Sequence, residues 1–118
     1  MKSIMVVEDE ELLSQIYEDA LKGNYKVIVF KTGKTALQYL ENNKPDLAIL
    51  DVKLPDMSGL KLVTEIRRKY FILPIIMCTA YDTFRSDFDL WTAKISDYLV
   101  KPIVLDELKK KIKKILGE

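Results

Sequence analysis

Short apolar runs alternate along this chain with longer segments whose apolar residues recur every three or four positions. Lys2 to Val7 reads as a strand, after which polarity inverts at Glu8-Asp9-Glu10-Glu11. Leu12, Leu13, Ile16, Tyr17, Ala20 and Leu21 then repeat at helical spacing, and Gly23-Asn24 closes the helix. Tyr25 to Phe30 is β-rich, with Val27 and Val29 on one face and Ile28 and Phe30 on the other. A second helix after Thr32-Gly33 uses Ala36, Leu37 and Leu40, and stops before Asn42-Asn43 and Pro45. Leu47-Ala48-Ile49-Leu50 is a run of consecutive apolar residues bounded by turn formers, which suits a strand buried on both faces. Asp51 is the first polar side chain past that strand. Pro55 and Gly59 punctuate the loop that follows, and Ser58 N-caps a third helix carrying Leu60, Val63 and Ile66 on one side, up to Tyr70.

The second half repeats the alternation. Pro74 to Cys78 is another buried strand, ending in Thr79-Ala80. Asp82 to Ala93 carries Phe84, Phe88 and Trp91 in an irregular pattern that predicts a fourth helix. Asp97 to Val100 is a fifth strand ending in Lys101-Pro102, and Leu105, Leu108, Ile112 and Ile115 define a last helix. Its outer face is Lys109, Lys110, Lys111, Lys113 and Lys114, a cluster that reads as a solvated, dipole-complementing surface rather than a nucleic-acid site. Strands alternating with helices predict an α/β fold, flavodoxin-like (βα)5, with a five-stranded parallel sheet in the order 2-1-3-4-5 and helices on both faces. Residues 1–118 are expected to form one domain.

Composition narrows the chemistry. Charged residues make up 31% and apolar ones 48%, as in a folded soluble domain, and the formal net charge of +1 exerts no general pull on nucleic acid or anionic lipid. Cys78 is the only cysteine, which excludes an internal disulfide and fits a reducing compartment. The N-terminal apolar run is too short for a signal peptide and no run reaches transmembrane length, so the expected address is the cytoplasm, with no membrane partner. Histidine is absent, which excludes a Ser-His-Asp triad, a His-ligated zinc site and a phosphohistidine on this chain.

In a sheet of the predicted order, ligands bind beyond the carboxyl ends of the strands. Strand one delivers Glu8, Asp9 and Glu10 there, strand three Asp51, strand four Thr79 and strand five Lys101. Clustered carboxylates repel one another and favour a hard cation, for which Mg²⁺ is well suited and zinc is not. Such a pocket can accept a phosphoryl group. Asp51 would attack to give an acyl phosphate, a cation would bridge Asp9, Asp51 and one phosphoryl oxygen, Lys101 would pair with a second oxygen, and Thr79 would donate to a third.

Val6-Val7-Glu8-Asp9-Glu10, Asp51 through Gly59, Thr79-Ala80 and Tyr98-Leu99-Val100-Lys101-Pro102 resemble the motifs of the receiver domain of two-component response regulators, in order and over essentially the whole chain. The resemblance implies Asp51 as phosphoacceptor, Asp9 as a direct Mg²⁺ ligand (Mn²⁺ being an alternative ion), Glu8 as an acid acting through water, and the Lys53 backbone carbonyl as a further ligand. It also implies Thr79 and Tyr98 as a switch pair and a cis bond before Pro102. The chain departs from the family pattern at Lys94-Ile95, where Gly-Ala is usual. Lys53 and Tyr81, two residues after Asp51 and Thr79, are bulky, which predicts slow loss of the phosphoryl group.

The expected function is therefore a stand-alone receiver. It would take a phosphoryl group from a sensor histidine kinase or phosphotransfer protein and switch its binding to an unidentified downstream protein. It would catalyse its own phosphorylation and slow dephosphorylation while serving mainly as a signalling switch. The alternatives are a phosphorelay intermediate that passes the group to a second histidine, or a receiver excised from a longer regulator. A flavodoxin-like FMN carrier is disfavoured, because its first loop would need to cradle phosphate and here reads Glu-Asp-Glu.

Overall fold

The structure is a computed structural model that describes residues 1–80 and 94–118. It contains β1 (Ser3–Val7), α1 (Glu11–Leu21), β2 (Lys26–Phe30), α2 (Gly33–Leu40), β3 (Leu47–Asp51), α3 (Gly59–Lys69), β4 (Ile75–Thr79), β5 (Asp97–Val100) and a C-terminal helix, α4 (Leu105–Leu116). The strands form one parallel sheet in the order β2-β1-β3-β4-β5, the order read from the sequence. The helix expected over Asp82 to Ala93, with Phe84, Phe88 and Trp91, lies outside the described residues, as does Tyr81.

The central strands are apolar along their middles because both of their faces are covered. Along β1, Met5 and Val7 enter a cluster with Ala36, Leu40, Leu62, Val63 and Ile66 of α2 and α3. Ile4 and Val6 point the other way, into a cluster with Tyr17 and Leu21 of α1 and Leu108 and Ile112 of α4. Each fully buried aliphatic or aromatic side chain contributes about 1.5–3 kcal/mol, so these two layers fix the register. Val7 pairs with Leu50, Asp51 with Cys78 and Thr79 with Val100. The next residues along the strands, Glu8 and Lys101, are thereby brought level with Asp51 and Thr79.

Helix starts follow the local chemistry. Ser58 accepts the Lys61 N–H at 3.1 Å, and Thr32 accepts that of Thr35, so both α2 and α3 begin at a side-chain cap. Four details differ from the sequence reading. Asp51 is the last residue of β3 rather than the first beyond it. The buried side of α3 is Leu62, Val63 and Ile66, with Leu60 only partly covered. On α1, Leu12 and Ile16 lie at the solvent edge, 69% and 39% exposed, because the helix turns Ser14, Tyr17 and Leu21 inward. Lys111 does not belong to the free lysine face: its ammonium pairs with Asp97 on β5 at 2.8 Å.

Lys94 has φ 62°, a left-handed conformation that an L side chain adopts at a cost. Arg67 on α3 donates to its carbonyl at 2.7 Å, and the Lys94 ammonium sits 4.2 Å from the centre of the Phe71 ring. These contacts hold the turn into β5 in place.

Candidate functional site

At the carboxyl edge of the sheet, residues far apart in sequence line a pocket of about 590 Å³. Its walls are Glu8, Asp9 and Glu10 after β1, Asp51, Val52 and Lys53 at the end of β3, Thr79 and Ala80 at the end of β4, and Lys101 after β5. Glu8, Asp51 and Thr79 are buried, whereas Asp9 and Lys53 are exposed at the rim. Tyr98 lies one layer below, half-buried against the cluster beneath α2 and α3. The Lys101–Pro102 peptide bond is cis.

Electrostatics tie the pocket together. The Lys101 ammonium donates to Asp51 Oδ2 at 3.0 Å and to Glu8 Oε1 at 3.3 Å. Asp51 Oδ1 accepts the Lys53 N–H, and Glu8 Oε2 accepts the Glu10 N–H, each at 3.2 Å. Burial pushes the Glu8 carboxyl up to about 7 and the nearby Asp51 charge adds to this, while the Glu10 N–H and Lys101 pull the other way. For Lys101, burial favours the neutral amine. Its hydrogen bond and attraction to Asp51 outweigh that, and the pKa ends above the ordinary lysine value.

Glu8, Asp9 and Asp51 each offer a carboxylate oxygen, all within 4.8 Å of one another. Hard anionic oxygens gathered this closely fit Mg²⁺. A single ammonium reaching two of these acids offsets only part of their charge, leaving room for a divalent ion. The arrangement can thus bind a cation and present a carboxylate nucleophile beside an ammonium and a hydroxyl.

The sequence model of the response regulator receiver domain matches residues 4–113. The chain belongs to the response regulator receiver family. Among its curated relatives is the alkaline phosphatase synthesis transcriptional regulatory protein PhoP of Bacillus subtilis, 35% identical over 98% of this chain and 48% of that protein. This receiver spans about half the length of the curated relatives it matches. Among solved structures, the CheY-like receiver domain protein of Methanospirillum hungatei superposes with a TM-score of 0.93 at 29% identity, over 99% of this chain and 94% of that one. Response regulator TrrA of Thermotoga maritima, solved in complex with Mg²⁺–BeF, gives 0.89 at 39% identity, over 98% and 99%.

Sequence reasoning passed over one residue in the loop between β3 and α3. Asp56 was read only as part of the loop motif after Asp51, yet its carboxylate reaches another element and accepts the N–H groups of both Gly33 and Lys34 at 2.9 Å. Those two bonds hold its pKa below the ordinary aspartate value. A helix start that follows a strand by two residues signals that free N–H groups are present. Nothing local in the sequence says which acid reaches them.

Proposed function

We propose that this receiver takes a phosphoryl group from a phosphohistidine of a sensor kinase or phosphotransfer protein onto Asp51. The observation that carries the reading is the convergence on Asp51 of the Lys101 ammonium at 3.0 Å and of the Glu8 and Asp9 carboxylates. A lone pair on an Asp51 carboxylate oxygen attacks phosphorus as the P–N bond breaks, and the bonding electrons stay on the imidazole nitrogen. The product is an acyl phosphate. Lys101, already poised between Asp51 and Glu8, turns to a phosphoryl oxygen, and the Thr79 hydroxyl donates to another. Asp9, Asp51 and the Lys53 carbonyl would hold a divalent ion, with Glu8 acting through water, and the ion would supply further neutralisation of the phosphoryl oxygens.

Phosphorylation adds roughly 1.5–2 negative charges at Asp51. Movement of Thr79 toward them opens space for Tyr98 to rotate inward, and the surface that includes β5 and α4 changes its protein partner. The reading assigns the receiver a cytoplasmic address and no direct contact with nucleic acid or membrane. The bulk of Lys53 and Tyr81, two residues after Asp51 and Thr79, slows hydrolysis of the acyl phosphate. The length of the curated relatives favours a second reading, in which the same switch governs an output domain of a longer regulator.

The kinase is expected to dock beside the pocket. An apolar groove lined by Leu12, Leu13, Ile16, Pro102, Ile103 and Leu105 reaches Lys101, which places exposed hydrophobic surface next to the accepting carboxylate. The deciding experiment is incubation with beryllofluoride or acetyl phosphate and Mg²⁺, comparing wild type with Asp51→Asn. A change in mass or in Tyr and Trp fluorescence is expected for wild type alone. A response that survives the substitution removes Asp51 from the nucleophile's role.

A further inference from the structure

The loop between β3 and α3 is fastened at two points. At its base Lys53 and Ser58 form an antiparallel bridge, the Gly59 N–H donates to the Val52 carbonyl at 2.6 Å, and the Lys53 N–H donates to Asp51 Oδ1. At its tip Asp56 spans to α2, placing Oδ1 on the Gly33 N–H and Oδ2 on the Lys34 N–H, both at 2.9 Å. Met57 follows it down. A Cβ at residue 33 would lie 2.5 Å from Met57 Sδ, so the loop tip sits flush on the first residue of the helix.

This contact is not needed to start α2, which already has its own cap in Thr32. Its effect falls on the loop. A segment whose base and tip are both fixed has little freedom left at Lys53, whose carbonyl is the one backbone ligand assigned to the divalent ion. We infer that the Asp56 clasp on α2 is a positioning device for Mg²⁺ binding, which holds the Lys53 carbonyl in place before the ion arrives. The inference rests on the proposed metal role of the pocket. It adds a positioning residue, Asp56, that never touches the ion.

Isothermal titration calorimetry with Mg²⁺ alone, and no phosphoryl donor, tests it on the whole chain. Asp56→Ala should weaken Mg²⁺ binding about tenfold, the size of effect seen when an outer partner of a metal ligand is removed. Asp56→Asn should fall between, since its amide keeps one acceptor oxygen and turns an NH₂ toward the second N–H. Thr32→Ala is the structural control, because it loosens the same helix start without touching the loop, and should leave the affinity within twofold of wild type. An unchanged affinity in Asp56→Ala overturns the inference, as does an equal loss in Thr32→Ala.

Reciprocity supplies a measurement that needs no variant. If the clasp favours the ion, the ion must favour the clasp by the same factor. Amide hydrogen exchange at Gly33 and Lys34 should therefore slow by up to about tenfold when Mg²⁺ is added, and rates that do not move reject the coupling. Wild type that takes up no Mg²⁺ at all would instead sink the metal role itself, and the clasp's purpose with it.

Discussion

Gly59 is the position at which fold and site press hardest on each other, and Gly59→Ala turns that pressure into a measurement. It is the first residue of α3, directly under the end of β3. A Cβ built there meets the Asp51 carbonyl oxygen, the Val52 Cα at 2.8 Å and the Met77 Cε at 2.7 Å, distances that real Cβ atoms do not show. Met77 can swing away, but the other two atoms are backbone, anchored by the pairing of Asp51 with Cys78 and by the Val52 N–H bond to the Cys78 carbonyl at 3.0 Å. The helix has to move instead, and the 2.6 Å bond from the Gly59 N–H to the Val52 carbonyl lengthens or breaks. Overpacking of this kind costs about 1–3 kcal/mol, whereas alanine's advantage over glycine in a helix is at most about 1 kcal/mol. A net loss of about 1–2 kcal/mol follows, which in a domain of this size lowers Tm by roughly 4–10 °C. Two other glycines calibrate the result. At Gly33 the obstacle is the Met57 side chain, which can repack, so Gly33→Ala should cost less than Gly59→Ala; at Gly23 no atom lies within 4 Å, so Gly23→Ala should be neutral or stabilise by up to about 1 kcal/mol. Urea unfolding followed by far-UV circular dichroism reads all three. Gly59→Ala within about 0.5 kcal/mol of wild type, or more stable than Gly33→Ala, would refute the steric argument.

Four further outcomes are expected. Lys94→Gly should be more stable than Lys94→Ala by about 1 kcal/mol, because both lose the cation–π contact with Phe71 and only glycine relieves the positive φ; equal midpoints in urea would show that the turn carries no strain. In metal-free protein the Glu8 carboxyl keeps its proton in the fold but loses it in the unfolded chain between about pH 4.5 and 7, so stability falls as pH rises through that window. Mg²⁺ favours the ionised acid and should therefore raise Tm more near pH 8 than near pH 6, an ordering that scanning fluorimetry checks and that a pH-independent shift would contradict. Ile16→Asp, at the exposed edge of the α1 groove, should slow phosphoryl transfer from a kinase at least about tenfold, the loss of one interface anchor, while leaving modification by acetyl phosphate unchanged; equal effects on both reactions would disprove the docking surface. Lys53→Asn and Tyr81→Ala should each shorten the lifetime of the phosphorylated form, and decay at the wild-type rate in both would reject the shielding role.

How far the sequence reached depended on whether a residue's partner was local, periodic or distant. The sheet order was legible because strands alternate with helices and right-handed crossovers restrict how they can stack, while the unalternating apolar runs Leu47 to Leu50 and Ile75 to Met77 marked strands covered on both faces. Once that order was known, the gathering of Glu8, Asp51, Thr79 and Lys101 followed from register alone. Two kinds of feature escaped. Periodicity set Leu12 and Ile16 on the same stripe as Tyr17 and Leu21 because it reports a stripe's width and not the width of the surface that covers it; the sheet face beneath α1 is shared with α4, and it takes up Tyr17 and Leu21 but leaves the outer edge bare. The Asp56 clasp escaped because its bonds cross 22 and 23 residues to backbone N–H groups, which have no signature in side-chain identity. The first lines a groove that reaches Lys101, and the second ties the loop that follows Asp51 to α2. The strands gather the acidic pocket through regular pairing, which a pattern can disclose, while the groove along α1 and the Asp56 clasp are made of irregular contacts between separate elements. If Ile16 anchors a kinase and Asp56 steadies the cation-binding loop, as proposed, a receiver can keep its acidic pocket and still diverge in partner and metal affinity through such positions.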